Sequence, residues 1–137
     1  MTYHSIITNL YYLFIHADGK VNETEVALGN QMAQAEGIQL DEFKTQMVLL
    51  KSKDATKVYA ESLAELKKMD RDQQVRCIAW LCEVANADGF MDRTEWQFIY
   101  GIYHKELRLS LDEIMAKQKE LTRISRPLSP LSLLPIL

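Results

Sequence analysis

Proline is almost missing from this 137-residue chain: there are three, all within the last eleven residues. Nothing in the first 125 positions therefore forbids a helix. Glycine is scarce too, at five residues, which leaves few places for left-handed backbone. The only two cysteines, Cys77 and Cys82, stand five apart in one helical pattern, where their side chains diverge. They read as reduced core thiols rather than a disulfide. No concentrated basic face exists: sixteen Lys and Arg are scattered among nineteen Asp and Glu, for a net charge of −3. That argues against nucleic acid as the main partner. The start, MTYHSIITNLYYLFIHADGK, has no basic leader or small-residue cleavage site, and its apolar stretch is too short to cross a bilayer. The expectation is a cytoplasmic protein without a membrane span.

What is present is helical periodicity. A chain of this length fits one domain that buries roughly two thirds of its unfolded surface. Ile6, Ile7, Leu10, Leu13, Phe14 and Ala17 form one apolar stripe. Asn22 with Glu25, Asp70 with Gln73, Asp92 with Glu95 and Ser110 with Glu113 each match a capping box, and Asp54 can cap alone. Gly19, Gly37 and Gly89 are stop signals. These predict an all-α fold, a compact bundle of about seven helices near residues 2–17, 22–36, 40–51, 54–69, 71–87, 92–106 and 110–124. IITNLYYLFIHA and VRCIAWLCEVANA are apolar around most of their circumference and should form its centre. Residues 125–137 differ: their Pro, Leu and Ser follow no period and read as a tail or extended arm that would prefer a groove.

The pattern is written twice. HADGKVNETEV at 16–26 returns as NADGFMDRTEW at 86–96, and GIQLDEF at 37–43 returns as RLSLDEI at 108–114. The first pair is offset by 70 and the second by 71, so one inserted residue separates the later parts of the copies. This predicts an internal pseudo-two-fold duplication within one domain, with the helix at 54–69 joining the copies.

Folding explains most of the repeated turn. The glycine ends a helix, the cap and Glu25 or Glu95 start the next, and Val21 with Val26, or Met91 with Trp96, can form a hydrophobic staple. Asp18 and Asp88 are left over. A carboxylate at a helix C-terminus faces the negative end of the macrodipole, unfavourable by up to about 1 kcal/mol, and a cation is one means of compensation. The string D-G-x-hydrophobic-x-x-x-E matches the second half of an EF-hand loop, but Phe14 and His16, or Val84 and Asn86, stand where earlier oxygen ligands belong. A four-carboxylate site requires the two turns to meet, and antiparallel central helices would hold them at opposite ends. The expectation is two carboxylates near each other at each of two exposed helix junctions.

ADGKVNETE and ADGFMDRTE, each after a mostly apolar helix, with GIQLDEF and RLSLDEI about twenty residues later, resemble the TerB-like domains of bacterial tellurite-resistance and stress-response systems. Such domains also stand at the N-terminus of a membrane-anchored DnaJ-type co-chaperone. The resemblance covers roughly residues 4 to 121, within a domain drawn at 1–124. It implies a compact helical domain whose motif acids face one surface and bind metal; by position these are Asp18, Glu25, Asp88 and Glu95.

Other chemistry is weaker. His4, His16 and His104 lack ligand spacing, and the aromatic set Tyr11, Tyr12, Phe14, Trp80, Trp96, Phe98, Tyr100 and Tyr103 has no basic track beside it and reads as core. No nucleophile elbow, phosphate loop or zinc motif occurs, so no enzyme is expected. The functional expectation is a non-catalytic stress-response interaction module with protein partners, in a membrane-proximal complex, whose acidic turns hold Ca or Mg. The alternative is a divalent-cation binder or sensor in its own right.

Overall fold

The computed structural model describes residues 1–17, 19–87 and 93–125. Among the described residues there are seven α-helices: α1 (Tyr3–Ile15), α2 (Glu23–Ala35), α3 (Leu40–Leu50), α4 (Ala55–Lys67), α5 (Arg71–Ala85), α6 (Arg93–Tyr100) and α7 (Leu111–Ser125). No strand occurs among the described residues. The start signals work as caps. Asn22 Oδ1 accepts from the Thr24 N–H at 2.7 Å, Asp54 from Thr56 at 2.9 Å, and Asp70 from Gln73 at 2.8 Å. Ser110 and Glu113 close the full reciprocal box: the Glu113 N–H donates to Ser110 Oγ at 3.1 Å and the Ser110 N–H to Glu113 Oε2 at 3.2 Å. Thr2 adds a cap for α1, accepting from the Ser5 N–H at 3.1 Å. The cap expected at Asp92 and the stop at Gly89 lie outside the described residues.

One element has a form the periodicity does not predict. The helix begun at Arg93 changes register after Tyr100, and Gly101–Glu106 is π-helical. In the first copy the Glu36 N–H donates to Met32 O and the Ile38 N–H to Ala33 O, while in the second Leu107 donates to Ile102 O and Leu109 to Tyr103 O. The acceptors step by 70 and the donors by 71, so the extra residue of the second copy lies between Tyr103 and Leu107. A π turn is the form a helix takes when it absorbs one added residue without losing its hydrogen bonds on either side. Past it, Arg108 takes a left-handed φ of 54°, where its counterpart Gly37 has 76°.

The core is built on α1 and α5. Ile6, Ile7, Leu10 and Phe14 of α1 and Cys77, Ile78, Trp80, Leu81 and Val84 of α5 are all fully buried. Cys77 and Cys82 are free thiols inside it. Along α5 runs α7, in the same direction: Arg71 meets Glu113 near both starts, and Glu83 meets Thr122 toward both ends. α3 and α4 cover α1, α2 lies against α5 and α7, and α6 lies against α1 and α5. Each sequence copy thus extends its second helix to the other copy's central helix as well as to its own. Buried polar contacts fix these crossings. Asn9 Nδ2 donates to Ser62 Oγ at 3.1 Å and Gln46 Nε2 to Asn9 Oδ1 at 2.7 Å, which ties α1, α3 and α4 together. Arg76 on α5 grips the Glu36 carboxylate at the end of α2, with Nε 2.8 Å from Oε1.

Candidate functional site

The two motif glutamates described by the structure are inside the protein. Glu25 is 4% and Glu95 6% exposed, where exposed junctions were expected, and neither is without a polar or electrostatic partner. The cause at Glu25 is how closely α2 lies on α1. Tyr11 Oη donates to the Glu25 carbonyl at 3.0 Å, and the Tyr11 ring occupies the space where Gly29 has no side chain: a Cβ there would stand 2.1 Å from Tyr11 Oη. Both glutamates fall in the first turn of a helix, α2 or α6, where the positive end of the macrodipole offsets part of the cost of burying a carboxylate. Val21 and Val26, expected as a staple, are 49% and 37% exposed, so any contact between them faces solvent.

Asp18 and Asp88 lie outside the described residues. Among the described residues no three His, Cys, Asp or Glu side chains gather closely enough to hold an ion. His16 is engaged as a helix end: its Nδ1 lies 2.8 Å from the Tyr12 carbonyl and its ring 4.2 Å from that of Tyr12. Burial pushes both thiols up, Cys77 far above its ordinary range and Cys82 to about 12.

The flanks of the two turns come to one groove. About 760 Å³ in volume, it lies between α1, the α3–α4 connection and α6. His16 and Ala17, at the end of α1, line it together with Thr94, at the start of α6. The entry to the first turn and the exit from the second thus border the same space instead of opposite ends of the molecule. Its apolar lining comes from Tyr12, Leu13, Tyr59 and Phe98, with Lys51 and Lys53 alongside. Phe98 is held by Phe14 at 6.1 Å and Tyr59 at 5.9 Å between ring centroids. The aromatic residues therefore divide. Tyr11, Phe14, Trp80 and Tyr103 belong to the core, but Tyr12, Phe98 and Tyr100 are half-buried and Trp96 is 39% exposed. The groove was not foreseen, because the 50–56 connection that closes it carries no motif; the off-stripe position of Tyr12 on α1 was the one available signal.

A third buried carboxylate, Glu83 on α5, also escaped the sequence reading. Thr122 Oγ1 donates to it at 2.6 Å and Gln118 Nε2 at 3.4 Å, both from α7. It clamps α7 to the last turn of α5. No helix among the described residues is long and apolar enough to cross a membrane.

Neither the curated proteins nor the solved structures include a match to this chain. The family model described as tellurite resistance protein TerB matches residues 5–118, from the first turn of α1 to the middle of α7 and across both acidic turns. The chain belongs to the TerB family.

Proposed function

We propose that this TerB-family domain is a non-catalytic interaction module of a stress-response system, and that its two acidic turns hold a divalent cation. The observation that carries the proposal is the burial of Glu25 and Glu95 at the same place in the two copies, each just after an Asp-Gly turn. Helix approach encloses these carboxylates, and a hard cation beside an Asp-Gly turn would offset the charge held there. The donors are carboxylate oxygens and backbone carbonyls, and both thiols are shut in the core, which favours magnesium or calcium over zinc. The same thiols, pushed up by desolvation, are poor nucleophiles, in keeping with a non-catalytic role. With Asp18 and Glu25 at one turn and Asp88 and Glu95 at the other, dissociation constants of roughly 10⁻⁴ to 10⁻³ M are expected.

Titration calorimetry with calcium, magnesium, manganese and zinc tests this, on wild type and on the Asp18→Asn, Asp88→Asn double variant. Heat from a hard ion in the wild type alone is the expected result. No heat up to several times those concentrations, or equal heats in both proteins, would remove the cation and leave the turns as capping devices that present a surface to a protein partner.

A second reading, a cation sensor in its own right, draws on the exposed Val21, Val26 and Trp96 beside the turns. Ion binding that rearranged this apolar surface would change the emission of Trp96, which is 39% exposed, while the fully buried Trp80 stayed constant. An ion-dependent shift in tryptophan emission favours the sensor, and binding heat without such a shift favours the module.

A further inference from the structure

Cation binding at the turns does not account for the groove between α1, the α3–α4 connection and α6, nor for the stretch RPLSPLSLLPIL at 126–137. The geometry points to residues 127–137 of this same chain as the occupant of that groove.

Chemistry matches first. Residues 127–137 contain five leucines, one isoleucine, three prolines and two serines, and no charged side chain. Proline at 127, 130 and 135 suits an extended polyproline conformation, which packs on aromatic walls because little of its entropy remains to be lost. The groove offers such walls in Tyr12, Tyr59 and Phe98, each still partly exposed.

Position comes second. The Thr122–Glu83 hydrogen bond of 2.6 Å fastens the last turns of α7 to the last turn of α5. The chain leaving α5 leads into α6, whose Thr94, Gln97 and Phe98 line the groove, so α7 ends on the side of the molecule from which α6 starts. From there, twelve residues at about 3.1 Å each reach roughly 37 Å, against a radius of gyration of about 14 Å for a domain of this length. Tethering does the rest: a short linker gives an effective concentration on the order of millimolar, enough to keep a weak intramolecular contact largely formed. An uncovered run of this composition would otherwise promote association between molecules.

The test uses the full chain, labelled for NMR, with the paired tail variant Leu131→Asp, Leu133→Asp. These substitutions lie beyond Leu121, the last core residue among the described ones, and are expected to leave the fold intact. In the wild type the amides of residues 128, 129 and 131–134 are expected to show order parameters near the rigid-backbone value of about 0.85, with contacts from leucine methyls to the Tyr59 and Phe98 rings. In the variant those contacts vanish and the amides of Thr56 and Gln97 shift. Order parameters below about 0.6 through the tail, or groove amides that ignore the substitutions, would overturn the inference. So would contacts that grow with protein concentration, which would mark a tail from a second copy.

Discussion

At Gly29 the absence of one methyl group decides how near two helices come. An added Cβ would meet Tyr11 at 2.1 Å from Oη and 2.2 Å from Cζ, and Tyr11 is held by its bond to the Glu25 carbonyl. Gly29→Ala should therefore cost about 1–3 kcal/mol by overpacking, and Tyr11→Phe about 1 kcal/mol by loss of the hydrogen bond. Gly101, with nothing within 4 Å of an added Cβ, should behave in the opposite way, with Gly101→Ala gaining roughly 0.4–1 kcal/mol. Urea denaturation of the three variants checks the order. A different residue adds an acid-sensitive contribution. The Arg71 guanidinium donates to both Glu113 oxygens, at 2.7 and 2.6 Å, and with the Ser110 N–H and hydroxyl holds that carboxyl down to about 2. Because the folded value lies below the unfolded one, the contribution is complete above the ordinary carboxylate range. It is lost as pH falls through that range toward 2. Glu113→Gln should flatten the stability profile in that window and leave it parallel to wild type above pH ~6; denaturation midpoints at a series of pH values measure this.

Among the elements, Arg108 and Gly37 make a matched pair. Both follow the helix after an acidic turn with φ near left-handed values, 54° and 76°, but only one is the residue that adopts this without steric cost. Arg108→Gly should stabilise the protein by roughly 0.5–1 kcal/mol and Gly37→Arg destabilise it by about 1–2 kcal/mol; thermal denaturation compares them. The same stretch marks the limit of what the sequence reveals. The helices were legible because most starts are local events, a cap oxygen and the amides two or three residues on, with α3, whose Gln39 makes no side-chain cap bond, the exception, and because the prolines stay out of the way. The shift from 70 to 71 announced an inserted residue, but its placement between Tyr103 and Leu107 depends on which side chains must stay inward on both sides, which is tertiary information. Partners were hidden for the same reason. Asn9 with Ser62, Arg76 with Glu36, and Glu83 with Thr122 each join residues at least thirty-nine apart, and periodicity states a face but not what covers it. The site was half legible. Glu25 and Glu95 stood out in the motif, yet their burial follows from close helix approach, at Gly29 in the first copy, which a capping pattern does not encode.

Across the whole molecule, the exchange of helices between the copies makes the two halves interdependent. Cut in the exposed connection at 51–54, fragments 1–52 and 53–137 would each lose a partner for their central helix: α1 would lack α4 and α6, and α5 would lack α2. Each fragment alone should show little helical circular dichroism, and an equimolar mixture should show more than the sum of the two. A sum without excess would mean that the halves fold independently. The same exchange governs synthesis. From Ile15, where α1 ends, to Arg93, where α6 begins, there are seventy-seven intervening residues. At about 5–20 residues per second a ribosome takes roughly 4–16 s to cover that distance. Throughout that interval Ile6, Ile7, Leu10 and Phe14 have emerged without their full complement of neighbours, which makes the nascent first half a client for chaperones that bind exposed apolar helices.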